Sequence, residues 1–210
     1  LRVAILISGR GSNMVSLLQA AATPDYPADI VLVVSNTPDA PGLARAREAG
    51  VETLAIDHRV FGRDRAAHEA AIDDALRARD IGLVCLAGYM RLLSPLLVDR
   101  WAGRMLNIHP SLLPAFPGLH THARALAAGV KLHGCTVHLV TQGMDEGPIL
   151  AQAAVPVLPG DTEATLAARV LAQEHGLYPL ALRIAAGDPA GWPAPHAALC
   201  NPLPAAAPPT

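Results

Sequence analysis

The chain has 210 residues, 51% of them hydrophobic, and a formal net charge of −2, which suits one domain with a large core and supplies no basic field for nucleic acid. Its longest apolar stretches are broken by Pro, Gly or charge well short of the roughly 20 residues a membrane span needs, so no membrane partner is expected. Cys85, Cys135 and Cys200 are odd in number and far apart, which fits reduced thiols in a cytoplasmic protein and supports neither a disulfide framework nor a cysteine zinc site.

Taken in order, Arg2 to Ile7 is an apolar run without polar alternation, as expected of a strand covered on both faces and not of a signal peptide. Ser8-Gly-Arg-Gly-Ser-Asn13 follows, and Met14, Val15, Leu17 and Leu18 then form a helical stripe. Asp29 to Ser35 repeats the buried-strand pattern, Pro41 to Ala49 predicts a short helix, and Glu52 to Ile56 a third strand. Asp64 to Arg79 is a charged amphipathic helix, Gly82 to Ala87 a fourth strand, and Pro95 opens a short helix to Trp101. A fifth strand is predicted over Arg104 to Leu106, followed by Asn107-Ile-His109 on a loop stiffened by Pro110 and Pro114.

After a helix from His120 to Ala128 the pattern changes. Gly134 to Val140 and Ile149 to Val157 are strand-like runs whose connection leaves no room for a crossover helix, so they are expected to be antiparallel. Asp161-Thr162 caps a long helix running to about Ala186. These elements predict an α/β, Rossmann-like fold: a mostly parallel sheet with helices on both faces, an antiparallel C-terminal strand pair and a long C-terminal helix. A single domain is expected over residues 1–187, followed by a poorly ordered Ala/Pro-rich tail at 188–210.

Several groups could carry chemistry. Gly9-Arg-Gly-Ser-Asn13 lies where a strand enters a helix, and backbone N–H groups there can approach an anion. A dinucleotide fingerprint fails, because Met14 replaces the third glycine and the second strand ends in Ser35-Asn36 without an acid. A single phosphate, or simply a glycine turn with a Ser/Asn cap, accounts for the loop. Asn107 and His109 project to one side of extended backbone; alone, the pair reads first as a satisfied Asn and a half-buried His beside a turn, and only second as a catalytic pair. Asp145 follows Gly143 in a turn-forming loop, His120 and His122 lack the further ligands of a metal site, and His138 suits a core histidine. Gln173-Glu174-His175 reads as a solvated helical face.

Ser8-Gly-Arg-Gly-Ser-Asn13, Ala87-Gly-Tyr-Met-Arg-Leu-Leu-Ser-Pro95, Asn107-Ile-His-Pro-Ser-Leu-Leu-Pro114, His133-Gly-Cys-Thr-Val-His138 and Asp145-Glu-Gly-Pro-Ile149 occur together and in order. Together they resemble the folate-dependent phosphoribosylglycinamide formyltransferases of the formyltransferase family, from Arg2 to about Ala186. The resemblance implies transfer of a formyl group from 10-formyltetrahydrofolate to the amine of 5-phosphoribosylglycinamide in purine biosynthesis, without a metal. It implies Asn107, His109 and Asp145 as the catalytic trio, and Gly11, Ser12 and Asn13 as the residues holding the substrate phosphate. Glu174 matches an acid near the glycinamide end. The formyl-folate site aligns with Arg65, Met90, Arg91, Leu92 and Leu93, with Thr141, Gln142, Gly143 and Met144, and with Asn107 and Asp145. Arg65 is displaced by one residue from the family's spacing. A monomer or weak homodimer, with small molecules as its partners, is the expected state. The related formyltetrahydrofolate hydrolases share the trio but carry an N-terminal regulatory domain, and methionyl-tRNA formyltransferases a basic C-terminal one.

Overall fold

The alternation of buried runs and helical stripes folds as an eight-stranded sheet flanked by helices, in a computed structural model that describes residues 1–187 and Leu199–Cys200. Strands β1 (Arg2–Ile7), β2 (Asp29–Ser35), β3 (Glu52–Ala55), β4 (Leu83–Leu86) and β5 (Met105–His109) are parallel. β6 (Leu132–Leu139) is antiparallel to both β5 and β7 (Ile149–Pro156), and a two-residue β8 (Leu199–Cys200) lies parallel to β7. The order is β3-β2-β1-β4-β5-β6-β7-β8. The predicted α/β architecture with its antiparallel pair is therefore the observed one, and β8 is a strand the periodicity did not suggest. The remainder of the 188–210 tail lies outside the described residues.

Six α-helices join the strands: α1 (Ser12–Ala21), α2 (Pro41–Glu48), α3 (Arg65–Arg77), α4 (Pro95–Arg100), α5 (Thr121–Ala128) and α6 (Glu163–Gly187). Successive side chains of a strand face opposite sides, and β1 divides accordingly. Val3, Ile5 and Ile7 pack with Met14, Leu17, Leu43 and the buried stripe of α6, whereas Ala4 and Leu6 pack with Ile72, Leu76, Leu97 and Trp101 of α3, α4 and the residue after it. Both faces are covered, which is why the parallel strands read as continuous apolar runs. Burying one such large aliphatic side chain contributes about 1.5–3 kcal/mol. Tyr178 of α6 is fully buried and donates its hydroxyl to the Leu86 and Leu106 carbonyls, at 3.1 and 3.2 Å, fastening the long helix to β4 and β5.

Two features position the site. Connections from β1 and from β4 run outward in opposite directions, so the crevice at the carboxyl ends of these neighbouring strands is a topological switch point. Strand β5 also continues past Leu106 to His109, so Asn107 and His109 belong to the strand and not to the loop that follows it. β6 supplies the reason: Asn107 registers with His138 and His109 with Thr136, and Pro110 only ends the pairing after that.

Candidate functional site

Asn107 and His109 share one face of β5, and the connection between β6 and β7 brings Asp145 to them. Asp145 adopts a left-handed backbone (φ 57°), and Gly147 lets the chain pass so close that a Cβ there would fall on the Leu139 carbonyl oxygen. Asp145 Oδ2 accepts from the Gly118 N–H at 2.8 Å and lies 3.4 Å from His109 Nδ1. The other His109 nitrogen, Nε2, faces the Phe116 carbonyl at 3.1 Å. Each imidazole nitrogen thus has an oxygen acceptor, a setting that accommodates two ring protons. His109 is 6% exposed, so its charge partner acts with little screening by water.

His138, expected to be a core histidine, is buried but touches this cluster. Its Nδ1 is 2.8 Å from the Leu139 carbonyl and so carries the proton, leaving Nε2 to accept from Asn107 Nδ2 at 3.2 Å. Burial pushes the His138 imidazole down from its ordinary value and keeps it a neutral acceptor. This bond orients the Asn107 amide and leaves its second N–H without a protein partner among the described residues. Such a role was readable only from the β5–β6 register, which sequence spacing does not supply.

The glycine loop is built differently. Gly11 is the N-cap of α1 in a left-handed conformation (φ 67°), and no side chain caps the helix; a Ser/Asn cap is therefore not what the loop provides. The first-turn N–H groups of Ser12, Asn13 and Met14 have no intrahelical acceptor. Gly9 has open space where a Cβ would stand. Loop and crevice are tied by Ser8, whose hydroxyl donates to Asn36 Oδ1 at 2.5 Å and accepts from Met90 N at 2.8 Å. Residues 88–91 are thereby held beside the helix N-terminus.

Glu174 departs from the solvated face expected of it. It is 7% exposed and accepts from Asn13 Nδ2 at 2.6 Å; burial pushes its carboxyl up and the Asn13 amide draws it back. Met90, Leu92 and Met144 are large exposed apolar side chains, Arg91 and Leu93 are half-buried, and Thr141 and Gln142 are exposed, with Gln142 bonded to Asp99 at 2.8 Å. Leu86 and Val98, close to these residues in sequence, are closed into the core. Arg65 opens α3 as an exposed side chain, with no side-chain hydrogen bond or ion pair among the described contacts.

His122 Nδ1 and His133 Nε2 approach to 3.1 Å, and the His133 ring also meets Phe116 edge-on at 5.9 Å between centroids. His120 is the exposed N-cap of α5. Among the described residues no group of three or more His, Cys, Asp or Glu is arranged to hold a metal ion. Burial pushes the Cys85 thiol up to about 12 and raises Cys135 as well, so neither supplies a thiolate nucleophile at neutral pH.

The Formyl transferase family model matches residues 1–182. Phosphoribosylglycinamide formyltransferase of Escherichia coli K12 is 45% identical over 182 residues, 87% of this chain and 85% of the relative. The human trifunctional purine biosynthetic protein adenosine-3 is 48% identical over 185 residues, 88% of this chain; the chain spans only 18% of that relative's length and 14% of its Drosophila melanogaster counterpart's. The crystal structure of phosphoribosylglycinamide formyltransferase from Brucella melitensis superposes with a TM-score of 0.85 at 60% identity, covering 88% of this chain and 95% of that one.

Proposed function

This chain belongs to the formyl transferase family, and we propose that it transfers the formyl group of 10-formyltetrahydrofolate to the primary amine of 5-phosphoribosylglycinamide, giving formylglycinamide ribonucleotide and tetrahydrofolate in purine biosynthesis. The observation that carries this reading is the placement of Asp145 Oδ2 3.4 Å from His109 Nδ1, with the Asn107 amide on the same strand face. The activity for which the relatives are named and the bare N-terminus of α1 support the choice of acceptor.

The amine attacks the formyl carbon, the carbonyl oxygen takes up negative charge, and the bond from carbon to N10 of the folate then breaks. N10 gains a proton and the amine nitrogen loses one. Asn107 serves the first event: its free N–H is aimed by His138 and does not titrate. His109 serves both events, donating to the oxyanion and then passing a proton toward N10. For this its Nε2–H must leave the Phe116 carbonyl for the substrate. Asp145 stands beside the His109 ring and orients it, and Gly118 N–H fixes the carboxylate against it.

The phosphate would sit on the backbone donors of Gly11, Ser12 and Asn13, where a helix N-terminus contributes partial positive charge, and Glu174 would meet the glycinamide end. Met90, Arg91, Leu92 and Leu93, with Thr141, Gln142, Gly143 and Met144, would hold the folate, whose pterin would cover the exposed methionines and Leu92. Arg65 would contribute only from the rim. The described helices include none long and apolar enough to cross a membrane, and a cytoplasmic monomer or weak homodimer fits the proposal.

Purified protein supplied with formyl-folate tests it. Tetrahydrofolate should appear only when phosphoribosylglycinamide is present. Formate release without the ribonucleotide would replace the reading with a hydrolase, and binding without turnover would reduce it to a ligand-binding module.

A further inference from the structure

We infer that Asn13 is a positioning residue, whose side chain holds the Glu174 carboxylate while its backbone N–H remains with the phosphate loop. The inference rests on the proposed function and assigns the two parts of one residue to opposite ends of the ribonucleotide. Asn13 occupies the first turn of α1 directly after Gly11 and Ser12, so its N–H is one of the uncapped donors. Its side chain turns away from that opening. Nδ2 donates to Glu174 Oε2 at 2.6 Å, across 161 positions of sequence, and both residues are more than nine-tenths buried. A side chain committed in this way is not free to grip a phosphate with the same amide.

The surroundings make the Asn13 bond consequential. Among the described residues no basic side chain forms an ion pair with Glu174, so the acid has no fixed countercharge. The titratable group that feels its charge is the Cys135 thiol of β6, which burial pushes toward its neutral form. The Asn13 amide is the one group that draws Glu174 back toward its ionised form against burial. Asn13 Oδ1 is also buried and has no partner among the described residues. An ionised carboxylate offers acceptors to the N–H and O–H groups of a glycinamide ribonucleotide, and a neutral Glu174 would supply only part of them.

The test compares Asn13→Ala, Asn13→Ser and Glu174→Gln with the parent chain. Carbon-13 NMR titration of the Glu174 carboxyl, assigned by its loss in Glu174→Gln, should show the midpoint moving upward in Asn13→Ala and by less in Asn13→Ser, which retains a shorter donor. In steady-state kinetics Asn13→Ala should raise KM for phosphoribosylglycinamide by about tenfold at neutral pH, as expected for loss of a hydrogen bond to a charged group, with kcat and the folate KM little changed. The acid limb of kcat/KM for the ribonucleotide should move to higher pH. Adding Asn13→Ala to Glu174→Gln should change KM less than twofold, because partners in one bond are not additive. An unmoved NMR midpoint, or additive effects with an unmoved acid limb, would overturn the inference. A parent chain without ribonucleotide-dependent turnover would instead remove the functional reading, and the NMR arm would still judge the Asn13–Glu174 pair by itself.

Discussion

The two halves of the crevice solve different problems with different materials. On the β5–β6 side, side chains hold one another, Asn107 against His138 and His109 against Asp145, with one backbone N–H, that of Gly118, behind the carboxylate. On the β1–α1–α6 side the exposed donors are backbone N–H groups at a helix start, and the one buried acid is held by an amide and not by a countercharge. In the proposed function the first arrangement would control where protons and developing charge sit, and the second would offer a fixed field to a charged ligand that does not itself react. Substitutions should therefore separate cleanly, with losses in kcat on one side and in ribonucleotide KM on the other.

The largest effect should come from the proton-handling half. Asn107→Ala removes an oxyanion donor, typically worth ~10²–10³ in rate, and His109→Ala removes a general acid worth ~10²–10⁴. Both variants should remain folded by circular dichroism, and the losses should fall on kcat. Near-normal turnover of His109→Ala would dismantle the mechanism. Next in size is Ser12→Asp. An acidic residue in the first turn favours the helix itself, so the fold should hold, but it sets a negative charge where the phosphate is proposed to rest. The ribonucleotide KM should rise at least tenfold, about 1.4 kcal/mol, with folate affinity unchanged in a direct binding titration. Loss of folate affinity alone would exchange the two assignments.

A smaller change tests whether the first half depends on backbone placement. In Gly147→Ala the added methyl meets the Leu139 carbonyl oxygen, and the loop must shift to relieve it. Asp145, two residues earlier, should lose its alignment with His109, lowering kcat by roughly tenfold or more, since a misplacement of about 1 Å can cost ~10²-fold. An unchanged kcat with a raised ribonucleotide KM would mean that Asp145 belongs to binding and not to proton handling.

How much of this could be read in the chain differs along it. β1, β2 and β4 were legible because strands covered on both faces are apolar throughout. The end of β5 was not, because Asn107 and His109 are polar and their place in the sheet depends on pairing with β6, 31 positions away for Asn107 and His138. Glu174 carried a signal that its polar neighbours concealed. The buried stripe of α6 runs Leu166, Val170, Glu174, Leu177, so the acid falls at a core position of a helical repeat. The proposed catalytic trio was marked by its family resemblance and not by spacing. The Asn13–Glu174 bond has no local sequence signature at all, since only the packing of α1 against α6 brings the two residues together.

The smallest expected effect lies just outside the reacting groups and concerns stability. Burial, with His122 and His109 nearby, pushes His133 down from 6.5 to about 4. In the unfolded chain the same imidazole takes up a proton near 6.5, so between pH 6.5 and 4 the unfolded state binds more protons than the folded one. Stability is then fully present above about pH 6.5 and falls as the pH drops through that window. Between pH 7.5 and 5 this linkage amounts to about 2 kcal/mol, so the melting temperature should fall by about 4–8 °C in a domain of this size. His133→Gln cannot titrate, so its melting temperature should depend less steeply on pH even if it is lower throughout. The slope is the informative quantity, because the lost contact with His122 lowers stability at every pH. Equal slopes in the two proteins would place the acid sensitivity elsewhere, with His122 and His138, both also driven toward neutrality by burial, as the next residues to replace.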